Sequence, residues 1–197
     1  MAFFICVIGY GYFSHVKRLM IEEKQNELTT IARLKSEQIT QWRSERLGDA
    51  ASIKQNGILA DRLRDYLAGL APKTVPDEFK VWMESLRSSY GYHSAALYKT
   101  DGTLLVSAID DVKNLDIFAQ RLILEVVRKP EISFSDFHLD KDDGEIHLNL
   151  VVPLGHTVGK QFKTVAVLIL DIDPHQFLYP LIPVSYTHLT LPTKRIV

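Results

Sequence analysis

The chain contains a single cysteine, Cys6, so it cannot form an internal disulfide or a cysteine-based zinc or redox site. It also has little net charge, since 23 basic residues balance 24 acidic ones to give −1. A nearly neutral chain has no global electrostatic attraction for nucleic acid, so we predict no nucleic-acid partner. The lack of disulfides is compatible with either side of a bacterial membrane, so the compartment must be inferred from other features.

The short motifs of common enzymes are absent as well. The sequence contains no G-x-S-x-G nucleophile elbow, no glycine-rich phosphate loop and no H-E-x-x-H zinc motif. Because no nucleophile can be paired with a base, we predict no catalytic residue, no metal site and no cofactor. An enzyme of unidentified type is the alternative.

The first stretch, Met1 to Val16, carries no formal charge and is rich in aromatic and aliphatic residues. It is shorter than the roughly 20 apolar residues of a full span, so we interpret residues 1–16 as a partial transmembrane segment. Aromatic residues beside Lys17 and Arg18 are typical of a membrane interface, although these cations also favour a cytoplasmic continuation. A signal peptide and a buried helix are the alternatives, but no basic region precedes the stretch and no small-x-small cleavage site follows it.

The last stretch has a different character. Residues Val184 to Thr193 resemble the translation of a transposase adapter used to prepare sequencing libraries. We therefore expect residues 183–197 to be read-through rather than native sequence, and His188 enters no functional argument. An ordinary tail with weak strand alternation is the alternative.

A long helix is predicted near the N-terminus. Residues Met20 to Lys54 contain no proline and one glycine, and their apolar residues recur at nearly helical spacing. We assign residues 17–56 to a signalling or stalk helix. A helix of about 30 residues runs roughly 45 Å, so part of it is expected to project toward the membrane. Three further helices are predicted over Ile58–Leu70, from Asp77 as the N-cap, and over Asn114–Arg128.

The apolar period then changes to that of strands. The last predicted strand is apolar on both faces, which places it centrally in a covered sheet. The fold class is therefore α+β, with a long N-terminal helix followed by a five-stranded antiparallel sheet flanked by helices. The strands are predicted at His93–Tyr98, Thr103–Ala108, Glu131–Leu139, Glu145–Val152 and Thr164–Ile172, with a loop over Pro153–Lys163.

Four segments carry a family likeness: the long-helix stretch from Ile31 to Ala50, the hairpin segment Ala96–Gly102, the strand Ile146–Pro153 and the closing strand Val165–Asp173. Together they resemble the Cache-type sensor domains of bacterial receptors. The likeness covers residues 20–182 and implies a PAS-like sensor domain at 57–182.

The resemblance implies a function for the whole chain. The implied function is that of an extracytoplasmic small-molecule sensing module of a membrane-bound signal-transduction receptor, expected to be anchored in the inner membrane with its sensor domain in the periplasm. The expected partners are an unidentified small-molecule ligand, the membrane through the N-terminal helix, and a second copy in a homodimer through the long helix. A second PAS-like unit, a second transmembrane helix and a histidine kinase or diguanylate cyclase output would lie beyond this chain.

The resemblance also indicates where a ligand would bind. A PAS-like sheet packs one face on the long helix, and the other forms a cavity closed by the middle helix and loops. Strand alternation assigns Tyr98 to one face of its strand and places His147 and Asn149 together on one face of theirs. Asp171 ends the last strand, where the family often places a carboxylate for a cationic ligand group; a cap or salt-bridge acceptor is the alternative. We predict Tyr98, His147, Asn149 and Asp171 as ligand-binding residues.

The ligand itself stays unidentified. The family's amino-acid signature, Arg-x-Trp-Tyr ahead of the first hairpin, has no match in Trp82–Tyr90. The turn Asp140–Glu145 superficially resembles a calcium loop, but Val151 stands where a bidentate glutamate is required, so we predict a solvated turn. His138 and His147 flank this turn and are expected to face each other. Without a third ligand, we interpret them as surface or pocket-lining residues rather than a metal pair.

Two other roles are alternatives to sensing. One is a structural or dimerisation module in which the long helix pairs between copies and the body is a spacer. The other is a cofactor-binding PAS domain, although nothing in the sequence marks a haem or flavin site.

Overall fold

The computed structural model describes residues 2–109, 117–139 and 144–181. The adapter-like tail and the predicted turn residues 140–143 lie outside this described part. The helices are α1 (Ala2–Lys54), α2 (Gly57–Leu67), α3 (Val75–Tyr90), α4 (Ile117–Arg128) and the short α5 (Pro174–Phe177), followed by a 3-10 turn at Tyr179–Leu181.

The described chain divides into two compact units, one ending at Arg43 and the other beginning at Ser44. The last turns of α1 therefore belong to the same unit as the sheet. In agreement with this, Ala50 near the end of α1 is completely buried. In the first unit, α1 exposes most of its apolar side chains. No helix among the described residues combines the length and the apolar character needed to cross a membrane.

The helix boundaries follow local chemistry. Asn56 separates α1 from α2 and caps α2, because its side-chain oxygen accepts from the Leu59 amide at 3.4 Å. The prediction that Asp77 caps the third helix is wrong: α3 begins at Val75, after Thr74. Pro76 can occupy the first turn because amides there have no intrahelical acceptor, so the helix extends back past Asp77.

The sheet is antiparallel with the order β2-β1-β6-β5-β3, and β4 pairs separately with β5. The predicted central position of the last strand is confirmed, because β6 lies between β1 and β5 and is buried from Ala166 to Ile172. The strands are β1 (Ser94–Lys99), β2 (Leu104–Ser107), β3 (Ser133–Phe134), β4 (His138–Leu139), β5 (Ile146–Val158) and β6 (Gln161–Ile172).

The predicted loop Pro153–Lys163 is wrong. Strand β5 continues to Val158 and returns directly into β6 through Gly159, whose φ of +64° suits a tight turn. Pro153 is tolerated inside β5 because the paired residues of β3 reach only Val151, so that among the described strands this part of β5 pairs with β6 alone.

The predicted third strand, Glu131–Leu139, is instead two short strands, β3 and β4. Ser135 interrupts them and forms a reciprocal pair with Asn149: the Ser135 amide donates to the Asn149 carbonyl, and the Asn149 amide donates to Ser135 Oγ, both at 2.8 Å. The side-chain hydroxyl thus replaces a backbone acceptor, which breaks the regular ladder.

Helices cover both faces of the sheet. On one face, Ile123 and Val126 of α4 pack against Ala96, Val151 and Ile169. The other face packs mainly on α2 and α3, which contact β5, β6, β1 and β2. The sequence led us to expect the long helix on this face; α2 and α3, which are amphipathic, contact the strands there.

Candidate functional site

Strand register places the four predicted site residues on the sheet face that α4 covers. Asn149 pairs directly with Asp171 across β5 and β6, and His147 lies two positions away on the same face. Tyr98 pairs with Val167, which lies four residues before Asp171 and therefore shares its face. We call Tyr98, His138, His147, Asn149 and Asp171 the polar cluster.

The central contact of the polar cluster joins His147 to Asp171. Nδ1 of His147 donates to Oδ2 of Asp171 at 2.8 Å, and the two side chains are only 14% and 11% exposed. The second carboxylate oxygen, Oδ1, is buried and has no hydrogen-bond partner within the part of the chain that the structure describes. A buried carboxylate oxygen without a donor is costly, so this atom is the strongest sign of an unfilled interaction in the cluster.

Of the two structural alternatives for Asp171, one is partly realised. Asp171 accepts an ion-pair-type hydrogen bond from His147, but it does not cap the following helix. That task belongs to Asp173, whose Oδ1 accepts from the His175 amide at 2.8 Å. The other oxygen of Asp171, Oδ1, therefore serves neither the ion pair with His147 nor a helix cap.

Asn149 is held by its neighbours on β3 and β4. Its backbone amide and carbonyl both form hydrogen bonds with Ser135, and its Nδ2 lies 3.5 Å from Nε2 of His138. The predicted pairing of His138 with His147 across the hairpin is confirmed by the strand register, and their ring centroids lie 6.1 Å apart. Phe118 of α4 covers His138 with a ring-centroid distance of 4.5 Å.

Tyr98 lies deep under α4 and is 5% exposed. Burial, reinforced by the negative charge of Asp171, raises the pKa of its phenol to about 12. The side chain is therefore neutral at physiological pH and presents a hydroxyl that can both donate and accept.

A cleft opens where the strands end beside His147. It has a volume of about 590 Å³, within the range of roughly 300–1,000 Å³ that is typical of small-molecule sites. Its lining combines three histidines with two acids: His93, Glu145, Ile146, His147, Asp173 and His175.

Sequence reasoning did not assign His93, Asp173 or His175 to the site, and it did not find Ser135. The signal for the first three was available, because His93 precedes the first strand and Asp173 follows the last one. Antiparallel neighbours bring such ends to the same edge of a sheet. Ser135 gave no signal, since its role depends on an irregular break in the ladder.

Chemically, the site offers acceptors and titratable rings. The Asp171 carboxylate can accept from a cationic or N–H-bearing ligand, and Asn149 and Tyr98 can orient polar groups beside it. The described residues contain no group of three or more side chains with the arrangement needed to hold a metal ion.

This chain is similar to known proteins in structure but has no match at the level of protein families or curated sequences. No protein-family model matches the chain, and no curated protein matches it. Among solved structures, the sensor domain of the Vibrio cholerae histidine kinase DctB superposes with a TM-score of 0.62 at 15% identity, covering 81% of this chain and 60% of that one.

Two chemoreceptor domains are also similar. The sensory domain of Campylobacter jejuni Tlp3 with isoleucine bound has a TM-score of 0.58 at 14% identity, covering 81% of this chain and 63% of that one. The ligand-binding domain of the Pseudomonas aeruginosa amino acid chemoreceptor PctC with GABA has a TM-score of 0.54 at 17% identity, covering 81% and 68% respectively. The chain spans about three fifths of the first two domains.

These matches confirm the predicted fold at the level of architecture. The chain shares the α+β fold of these sensor domains, with its long leading helix and helix-flanked antiparallel sheet. The three neighbours are sensory or ligand-binding domains, and none of them is a catalytic domain.

Proposed function

We propose that this chain is the ligand-sensing module of a bacterial membrane receptor and that it binds a small molecule with an ammonium group at the polar cluster. The observation that carries the proposal is the buried carboxylate of Asp171: one oxygen is bonded to His147, and none of the described residues donates to the other. An ammonium group supplies the missing N–H and neutralises a charge that burial makes expensive.

The adjoining cleft supports a ligand of small-molecule size. It meets the polar cluster at His147, so a ligand can occupy the open volume while its charged end reaches toward Asp171. Structures of two neighbours contain isoleucine and GABA, both of which carry an ammonium group. Residues Trp82–Tyr90 do not match the amino-acid signature, so we propose that the site recognises an amine rather than a complete amino acid.

The proposal also covers the location of the sensor domain, its membrane anchor and its output domain. The sensor domain would lie in the periplasm, tethered to the inner membrane through the N-terminal helix, with a histidine kinase or diguanylate cyclase output carried elsewhere. Ligand binding would favour one arrangement of the sheet and the long helix. A ligand can shift that equilibrium only by its difference in affinity for the two states.

A thermal-shift and calorimetric screen tests the binding step. The probes are isoleucine, GABA and putrescine, each compared with a matched compound that lacks the amino group, such as butyrate for GABA. We expect at least one amine to raise the melting temperature while its amine-free analogue does not, because binding to the native state alone stabilises it.

Two variants locate the site. Asp171→Asn keeps the shape of the side chain and removes its charge, and we expect it to weaken amine binding by about tenfold or more. Asp136→Asn makes the same change at an exposed position and should leave affinity unchanged. Equal affinity in Asp171→Asn and the wild type would remove the basis of the proposal.

Dimerisation through the long helix is the second candidate role. The specific observation in its favour is the exposure of apolar side chains along α1, including Met20, Ile21, Leu28 and Leu34. Light scattering on the full chain should give the mass of two copies if these side chains pair. Leu28→Glu should then return a single copy, whereas Glu27→Gln, on the neighbouring position, should not.

A further inference from the structure

Histidines collect at the end of the sheet where the cleft opens. His147 is the central one, because its ring centroid lies 6.1 Å from that of His93 and 6.1 Å from that of His138. His93, His147 and His175 line the cleft together. Imidazole is the side chain whose ordinary charge change falls between pH 5 and 8, so the charge of this end of the sheet changes within that range.

The other charged groups around His147 are mostly acidic. The described titratable groups that face it from the surrounding elements are His93 and Tyr98 from β1 and its start, His138 from β4, Glu145 from the start of β5, Asp171 from β6, and Asp173 and His175 beyond β6. The charged residues of α4 (Arg121, Glu125 and Arg128) and Asp136 before β4 are exposed. None of the described residues that line the cleft is a lysine or an arginine. Of the three carboxylates, only that of Asp171 is buried, and it is the one bonded to His147.

The charge of His147 determines how much negative charge Asp171 presents. In the neutral ring, Nδ1–H donates to Asp171 Oδ2 at 2.8 Å and the carboxylate keeps its full charge. In the protonated ring the same contact becomes an ion pair, and the pair as a whole is neutral. Both side chains are largely shielded from water, at 14% and 11% exposure, so their charges interact more strongly than at a surface. A positive His147 therefore cancels the attraction that Asp171 exerts on a second cation and adds a repulsion.

We propose that proton uptake by His147 and amine binding at Asp171 oppose one another, so that the module responds to its ligand at neutral pH and loses that response on acidification. This inference rests on the proposed amine site and adds its regulation. His93 and His138 strengthen the effect, because an imidazolium at either position adds positive charge beside the same pair. Linkage requires a ligand that binds the less protonated form to release protons, and its affinity then falls as the pH falls.

Calorimetric titration of the full chain between about pH 8 and about pH 5.5 measures this linkage. The probes are isoleucine, GABA and putrescine, whose ammonium groups keep their charge over this range. We expect binding at the acidic end to be weaker by about tenfold or more, because exclusive uptake of one proton by an imidazole with an ordinary pKa of about 6.5 changes affinity by that factor. Titrations near pH 6.5 in buffers of different ionisation enthalpy should show that amine binding releases protons.

Two variants assign the protons. His147→Gln retains an N–H that can donate to Asp171 and cannot take up a proton, so the change in affinity between the two pH values should shrink to about threefold or less, whatever the absolute affinity. His156→Gln makes the same change near the opposite end of β5 and should keep the dependence of the wild type. Circular dichroism at both pH values establishes that each protein is folded. Proton release by the wild type decides the linkage even if His147→Gln does not fold.

Each result has a distinct meaning. Binding that weakens on acidification and releases protons, with a flattened dependence in His147→Gln, supports the inference. Equal affinity at both pH values overturns it and leaves the proposed amine site standing. A dependence that persists unchanged in folded His147→Gln overturns the role of His147. Absence of binding by all three probes at every pH removes the amine site and this inference with it.

Discussion

His147 and Asp171 lie 24 positions apart in the chain, and their side chains meet at 2.8 Å on the sheet face beneath α4. The contact links adjacent strands β5 and β6 at the point where the cleft opens. It holds one oxygen of the Asp171 carboxylate and leaves the other, Oδ1, without a hydrogen-bond donor among the described residues.

This contact should appear as a measurable coupling energy. In a double-mutant cycle with His147→Ala, Asp171→Ala and the double variant, we expect a coupling of about 0.5–3 kcal/mol in the free energy of unfolding, because both groups are largely shielded from water. Urea denaturation at neutral pH gives the four values. Additive effects within experimental error would show that the two side chains do not stabilise each other.

Ser135 should act as a positioning residue for Asn149. Ser135→Ala leaves the Asn149 amide without its acceptor, and a buried unsatisfied donor costs about 1–3 kcal/mol. We expect this loss of stability in urea denaturation, together with weaker amine binding at the polar cluster. Ser133→Ala is the matched control, since its hydroxyl donates to the carbonyl of the adjacent Phe134, and it should change both quantities little.

Tyr98 should make the protein less stable in strong alkali. Its pKa is raised to about 12 in the folded chain from an ordinary value of 10.0. Its contribution is therefore fully present below pH 10.0 and is lost as the pH rises toward about 12, because the unfolded chain ionises first. The loss is on the order of 2 kcal/mol.

Tyr98→Phe provides the measurement. The difference between wild type and Tyr98→Phe in a phenolate absorbance titration should be a single phenol that ionises well above the others. The fall in unfolding free energy between neutral and strongly alkaline pH should also be smaller in the variant. An ordinary titration of Tyr98 near pH 10 would contradict its burial beneath α4.

Gly155 should tolerate no side chain. It lies at the register shift in the β5–β6 hairpin, and a Cβ there would overlap the carbonyl of Lys163 on the paired strand. Because backbone cannot move as a side-chain tip can, we expect Gly155→Ala to cost about 3 kcal/mol or more, or to prevent folding. Gly48→Ala meets no atom within 4 Å and should raise stability by up to about 1 kcal/mol, as alanine favours the helix.

Much of the architecture could be predicted from local sequence. The helical period before Lys54, the break at Asn56 and the doubly apolar strand that ends at Ile172 are patterns of neighbouring residues, and the structure places helices and a central strand there. Pro153 misled the prediction, since proline ends a strand only where its missing N–H is needed, and that depends on which strands are adjacent.

The candidate site divides in the same way. Strand alternation alone places His147 and Asn149 on a common face of their strand and assigns Tyr98 to one face of its own strand. The pairing of β1, β5 and β6 puts all three residues on the same side of the sheet, binds His147 to Asp171 and brings His93 and His175 to the border of the same cleft. The reason is physical: alternation and periodicity act between neighbours in the chain, whereas register and helix packing join residues that are distant in sequence and are set by burial of the whole core.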